Sequence, residues 1–316
     1  MGRRSAQRFE RLQPPRLKHL IVVHEGTDRM SNIQFQALHG RFGAEVHGID
    51  LSAPLDEASA QSIANGMDEY SLLVFPNQAL GDDAHLALTK HLGEPEPNHV
   101  TFGVTGVVDY FGTIGNVIDA DNHKGNDDEH TRYQSGNNLW HTDSSFRLVP
   151  SKFSINHAYE VPGEGGITQF ASARDAYQRL PASVQEEIDS LHVLHDYVFS
   201  RSQVAPVDPN HAASLPPIEH KLVRTNPRTG AKNYYVGSHA RSIIGFSGIE
   251  SRELIDELQD IATEPDAIYS HQWTVGDTVI WDNRCLMHRG TGYDADRWRR
   301  RMRQTRVAGV GPTLSE

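Results

Sequence analysis

The stretch NNLWHTDSSF, residues 137–146, sets His141 and Asp143 two positions apart. On an extended strand, residues i and i+2 point to one face, so an imidazole and a carboxylate are offered together to a single ion. The chain carries 18 histidines, and about one His-x-Asp arises by chance in such a sequence. Taken alone, the pair reads first as the polar face of an exposed strand.

The segment GDTVIWDNRCLMHRG, residues 276–290, shifts that balance. Its strand-like TVIW ends in a polar turn, and His288 follows. Two histidines and one carboxylate are the ligand set that leaves positions open on Fe(II). A structural zinc fits less well, because such sites draw on closely spaced cysteines and the chain has one cysteine, Cys285. By itself His288 reads as a loop histidine.

An arginine-rich run, DRWRRRMRQTR at 296–306, then needs a role. On a strand over 299–307, Arg300, Met302, Gln304 and Arg306 share one face, and Arg299, Arg301 and Arg303 share the other. An arginine facing the ion clamps a carboxylate with its planar fork. On the outer face the same residue type deters pairing with other chains.

The elements that must position these residues read as a succession of short strands with peripheral helices. FGAEVHGIDLSAPL predicts a first strand and turn, and SLLVFP and GVVDYFGTIGNV predict further strands. DEASAQSIANGMDEY predicts a helix behind a capping Asp56, with Ala60, Ile63, Ala64, Met67 and Tyr70 on one face. GDDAHLALTKHLG, LPASVQEEIDSL and SRELIDELQDIA predict three more helices, Pro181 suiting the first turn of the second of these. VRTNPRTGAKNYYVG predicts a hairpin around Thr229-Gly230. Residues 119–136 and 204–217 lack apolar periodicity, and both predict loops, either surface segments or lids over a site. Such a pattern points to a β-sandwich or open barrel carrying extra helices.

Composition excludes other classes. A formal charge of −11 argues against nucleic acid as a partner, since phosphate binding needs a basic face. No run of eighteen apolar residues exists, so no membrane partner is expected. A lone Cys285 excludes an internal disulfide and is compatible with a reducing cytoplasm. Residues 1–32 are basic and irregular, without the apolar stretch of a secretory signal. They read as an extension ahead of a single catalytic domain at 33–312, with Met30 opening the ordered part.

At this point NLWHTDSSF, GEGGITQF, WTVGDTVIWDNRCLMHRG and the arginine strand resemble the Fe(II)- and 2-oxoglutarate-dependent dioxygenases of the taurine and dichlorophenoxyacetate type. LLVFPNQ, LVRTNPRTG and VGSHARSIIG look closer to the dichlorophenoxyacetate enzyme. The similarity runs from about Phe42 to Gly309. It implies a mainly β fold with peripheral helices around a double-stranded β-helix, or jelly-roll, core. It implies Fe(II) held by His141, Asp143 and His288, with 2-oxoglutarate as cosubstrate and O2 as oxidant. Thr168, in GGIT, falls where the family threonine meets the distal carboxylate of 2-oxoglutarate, and Arg300 where the arginine pairs with it. Arg299 takes that place if the register slips by one. The Ser144 N–H or the Ser145 hydroxyl is expected near the substrate's anionic group, with Asn137 and His99 on the pocket wall.

One position departs from the family pattern. Four residues past Arg300, where a second arginine is expected to meet the substrate anion, stands Gln304, which donates a hydrogen bond but carries no charge. Either a neighbour such as Arg303 or Arg306 takes over, or the substrate differs. His195 reads as structural, with substrate contact as the alternative. Trp140 and Trp281 read as packing beside the ligands, and Cys285 as inert.

The resemblance implies hydroxylation of a small organic anion with release of succinate and CO2, first an aryloxyalkanoate cleaved at its ether to a phenol. Taurine, another sulfonate or an amino-acid-like molecule is the second reading, and a non-enzymatic jelly-roll binding protein the third. A homo-oligomer is expected by analogy alone.

Overall fold

The computed structural model describes residues 32–98 and 109–316. The extension expected at 1–32 therefore lies outside the described residues but for its last position, and so does His99.

Two short strands, β1 (Gln34–Ala37) and β2 (Ala44–His47), lead into helix α1 (Glu57–Tyr70). Asp56 caps α1 by accepting from the Ser59 N–H, as the sequence predicts. Strand β3 (Leu72–Phe75), helix α2 (Asp82–Leu92) and strand β4 (Gly112–Gly115) follow. Next come a short helix α3 (Glu129–Gln134), a 3-10 turn at Ser135–Asn138, the long strand β5 (Ser151–Glu160) and β6 (Thr168–Ser172). Helices α4 (Ala173–Arg179) and α5 (Ala182–Ile188), strand β7 (His192–His195) and helices α6 (Tyr197–Arg201) and α7 (Pro209–Ser214) fill the middle of the chain. Strands β8 (Ile218–Lys221), β9 (Val223–Thr225), β10 (Lys232–Tyr234) and β11 (Ala240–Ile243) precede helix α8 (Gly248–Ala262). The chain closes with β12 (Ile268–His271), β13 (Thr278–Asp282), β14 (Leu286–Gly290) and β15 (Arg301–Ala308).

Among the described residues, seven strands form one sheet in the order β1-β2-β3-β13-β5-β15-β4, and β12-β6-β14 form a smaller one. Trp281 of β13 meets Phe170 of β6 at 5.6 Å between ring centroids, so the two sheets pack through large apolar side chains. A further three-stranded sheet, β11-β7-β8, and the β9–β10 hairpin lie beside them. Helices α4, α5 and α8 cover that side, burying Ile188, Leu254, Ile255 and Leu258 in one cluster with Val193, Leu222 and Tyr234. Strand and α-helix take equal shares of the described residues. No helix among the described residues is long and apolar enough to cross a membrane.

Four helices, α3, α4, α6 and α7, were absent from the sequence reading. The 119–136 segment holds α3, capped by Asp128 through the His130 N–H, and 204–217 holds α7. Each has six residues, under two turns, which is too short for a periodic apolar face. Helix α4 was also without a sequence signal; it is short, and Ser172 starts it by accepting from the Asp175 N–H.

Candidate active site

The metal-ligating geometry starts from the backbone. His141 donates its N–H to the His288 carbonyl at 3.0 Å, and His288 returns one to the His141 carbonyl at 2.8 Å. This isolated antiparallel bridge sets the two rings 4.2 Å apart between centroids. Each Nε2 lies 3.8 Å from Asp143 Oδ1. The three side chains are the group among the described residues able to converge on one ion, their ligand atoms all within 4.8 Å of one another.

Protonation favours metal binding. His141 Nδ1 is 2.7 Å from the Leu139 carbonyl, which only accepts, so Nδ1 holds the proton and Nε2 presents its lone pair. Burial lowers the pKa of both imidazoles, that of His288 to about 3, so they are neutral donors. Burial alone would raise the Asp143 carboxyl; the two imidazoles, the Arg306 guanidinium and the Ser154 hydroxyl outweigh it and hold the group below the usual carboxylate range. Asp143 Oδ2 accepts from the Ser154 hydroxyl at 2.6 Å and from the Gln304 amide at 3.0 Å. Oδ1 is thus left for the ion. Asn283, fully buried, locks this arrangement: its Oδ1 accepts from the Asp143 N–H and from Trp281 Nε1, and its Nδ2 donates to Ser154 Oγ. A pair of neutral imidazoles and one carboxylate oxygen on a common point suits Fe(II) with positions open toward solvent.

Those positions face a cavity of about 610 Å³ whose lining includes Asn137, Thr168, Arg300 and Gln304. Thr168 Oγ1 accepts from Trp273 Nε1 at 2.8 Å, so its own proton is available to a guest carboxylate. Arg300 is 8% exposed. Its side chain touches Met302 Sδ and lies 5.8 Å from the Tyr293 ring, with no carboxylate partner among the described residues. Burial lowers its pKa from the ordinary value, yet a guanidinium stays charged. Gly115 makes room for it: a Cβ there would stand 2.0 Å from the Arg300 carbonyl, and its φ of +128° favours glycine.

Several expected contacts lie elsewhere. Alternation along the last strand turns Arg299 outward to Glu160 at 2.8 Å and Arg303 to Asp82 at 2.7 Å, so neither lines the cavity. Ser144 adopts φ +56°, and the chain turns there. Its hydroxyl donates to Glu96 at 2.6 Å, while the Ser145 hydroxyl lies 3.2 Å from His239 Nδ1. Neither serine borders the cavity. Asn137 does border it, with Oδ1 accepting from Arg201. Gln304 is turned to Asp143 and accepts from Arg306 at 2.9 Å. His195 is fully buried away from the cavity, its Nε2 3.3 Å from the Tyr235 carbonyl. Trp140 belongs to a core cluster, and the Trp281 ring lies tilted against that of His288, 4.7 Å between centroids, while reaching the cavity wall. Burial pushes the Cys285 thiol up to about 11, which keeps it unreactive.

The sequence reading did not single out Ser154, Asn283 or Arg201. Asn283 lies inside the WDNR segment, two residues after Trp281 and directly past the strand, and that was its available signal. Ser154 and Arg201 reach the site from distant elements and carry no local signature.

A His–Asp–His set with one carboxylate oxygen free, opening on a chamber with a buried arginine, is a donor set that could hold the iron of a non-haem dioxygenase. Residues 34–306 match the taurine catabolism dioxygenase TauD, TfdA family, and the chain belongs to that family. It is 34% identical over 281 residues to the alpha-ketoglutarate-dependent 2,4-dichlorophenoxyacetate dioxygenase of Cupriavidus pinatubonensis, covering 85% of this chain and 95% of that one. Identity is 33% over 280 residues to the (S)-phenoxypropionate/alpha-ketoglutarate-dioxygenase of Sphingobium herbicidovorans, covering 86% and 93%. The crystal structure of AAD-2 in complex with Mn(II) and N-oxalylglycine superposes with a TM-score of 0.82 at 34% identity, over 90% of this chain and 100% of that one. The protein is accordingly a 2-oxoglutarate-dependent non-haem iron dioxygenase, with Fe(II), 2-oxoglutarate and O2 as its cofactor, cosubstrate and oxidant.

Proposed function

We propose that the protein hydroxylates a small anionic aryloxyalkanoate, of the dichlorophenoxyacetate kind, beside its ether oxygen. The hydroxylated carbon is then a hemiacetal, which collapses to a phenol and a 2-oxo acid; 2-oxoglutarate leaves as succinate and CO2. The observation that carries this reading is the cavity wall, where aromatic side chains (Phe111, Tyr133, Tyr197, Tyr293) stand beside guanidinium groups and the triad. Such a wall suits a molecule with a flat ring at one end and an anion at the other. The relatives named for dichlorophenoxyacetate and phenoxypropionate support it.

When bound, the iron would activate O2, the oxidant, for attack on a C–H bond. The chain's own part is to hold and to orient. His141, Asp143 and His288 would hold the ion. Arg300 would ion-pair with the distal carboxylate of 2-oxoglutarate and Thr168 would donate a hydrogen bond to it. Asn137 and Gln304 would line the substrate side. No side chain is assigned a general acid or base role. Residues 33–312 are proposed to act as one catalytic domain with a double-stranded β-helix core, which the packing of β13 against β6 around His288 supports. A homo-oligomer is proposed by analogy with relatives.

The test is product analysis from the Fe(II) protein under air with 2-oxoglutarate, offering dichlorophenoxyacetate, both enantiomers of dichlorophenoxypropionate, and taurine. Phenol with equimolar succinate is the expected result. Sulfite from taurine alone would move the protein to the sulfonate branch of the family.

A further inference from the structure

The position where the family pattern places a substrate-binding arginine is held by Gln304, and its amide is already committed: Nε2 to Asp143 and Oε1 to Arg306. Arg306 cannot stand in for it. Its charge is already met by the buried Glu96 carboxylate, 3.0 Å from Nε, while Nη1 and Nη2 donate to Gln304 and Asn98. Arg303 faces outward to Asp82. Arg132, at the rim, is exposed and turned to the Asp127 carbonyl. With Arg300 kept for the cosubstrate, Arg306 paired and Arg132 exposed at the rim, the arginine left on the cavity wall for an arriving anion, among the described residues, is Arg201.

Arg201 ends helix α6. Its guanidinium lies 5.0 Å from the Tyr133 ring centroid and 5.8 Å from that of Tyr197. Nη1 donates to the Tyr133 carbonyl at 3.1 Å and Nη2 to Asn137 Oδ1 at 3.0 Å, while the buried Nε has no partner. Gly136 lets the group seat against the backbone, since a Cβ there would stand 2.0 Å from Nη1. No carboxylate pairs with Arg201 among the described residues. A largely desolvated cation without a counter-ion is costly, and an anionic ligand removes that cost. Its charge is also felt at both His141 and Asp143, so it lies within electrostatic reach of the iron cradle.

We propose that Arg201 receives the carboxylate of the substrate, in place of the arginine that Gln304 replaces, with the rings of Tyr133 and Tyr197 flanking the contact. The inference rests on the dioxygenase reading above and adds the residue that selects for an anion. The aryl end of the substrate then lies toward Phe111 on the same wall. A fixed cation on one side and aromatic faces beside it select against neutral ethers of the same shape.

Anaerobic binding to the Fe(II)–2-oxoglutarate protein tests it, by calorimetric titration with 2,4-dichlorophenoxyacetate and with its uncharged methyl ester. In Arg201→Gln the acid is expected to bind about 30- to 100-fold more weakly, losing one charge-assisted contact, while the ester and 2-oxoglutarate bind as in the wild type. Arg201→Lys should keep most of the acid affinity. Gly136→Ala, which retains the charge but displaces it, should lower acid binding without lowering ester binding. Unchanged acid binding in Arg201→Gln would overturn the inference and leave the dioxygenase reading standing. Equal loss of acid and ester would also overturn it, since that marks a merely structural role. A wild-type protein that took up neither 2-oxoglutarate nor the acid would overturn the dioxygenase reading and the inference with it.

Discussion

His141 and His288 stand 147 positions apart in the chain (141 to 288), yet they exchange both backbone hydrogen bonds, at 3.0 and 2.8 Å. The two imidazoles proposed as ligands are therefore spaced by peptide geometry and not by side-chain packing alone. A bridge of this kind tolerates loss of either ring, because the backbone pair persists. His141→Ala and His288→Ala should fold, with far-ultraviolet circular dichroism like the wild type, and bind Fe(II) at least about 100-fold more weakly. Loss of fold in both would show that the rings, and not the bridge, hold these segments together.

Asp143 owes its orientation to Ser154 and Asn283. Removing such a support typically costs 10–100-fold in metal affinity, an order-of-magnitude range. Ser154→Ala and Asn283→Ala are each expected within it, and the double variant should show less than the product of the two effects because they share one network. Iron titration against a competing chelator measures this.

Arg300 and Thr168 should separate by magnitude. Arg300→Leu is expected to raise the KM for 2-oxoglutarate by roughly 100-fold or more, the loss of a buried charge pair. Thr168→Val should raise it about tenfold, one hydrogen bond to a charged group. A larger effect at Thr168 than at Arg300 would reverse the assignment of the main anion contact.

Two buried histidines tie stability to pH. Burial lowers the pKa of His85 and His220 to about 4. His85 Nε2 lies 3.2 Å from the Ile155 carbonyl, and His220 bridges Thr313 and the Ser145 carbonyl. Because the folded-state values are depressed, the unfolded chain takes up protons first as pH falls below about 6.5. Stability should be flat above that pH and fall between there and pH 4, by on the order of 2 kcal/mol per histidine at pH 5. Urea midpoints at pH 7, 6 and 5 measure the slope, and His85→Gln should make it shallower.

The strand alternation over 299–307 was legible in the sequence: Arg300, Met302, Gln304 and Arg306 are all buried, while Arg301 is exposed. The His141-x-Asp143 spacing was equally legible. The serines after it were not, because adjacency to a ligand says nothing about facing once the backbone turns, as it does at Ser144 with φ +56°. Arg201 was invisible for another reason. Its partners Tyr133, Gly136 and Asn137 sit on a six-residue helix and a 3-10 turn, elements too short to leave a periodic trace. The link from Asn283 to Ser154 crosses 129 residues, and only the paired strands bring it about.

The most direct measurement is an anaerobic crystal structure of the protein with Mn(II) and 2-oxoglutarate. The expected result is a single ion on His141 Nε2, Asp143 Oδ1 and His288 Nε2, with the distal carboxylate of 2-oxoglutarate on Arg300 and Thr168. An ion bound elsewhere, or a cosubstrate carboxylate held by Arg201 in place of Arg300, would contradict it.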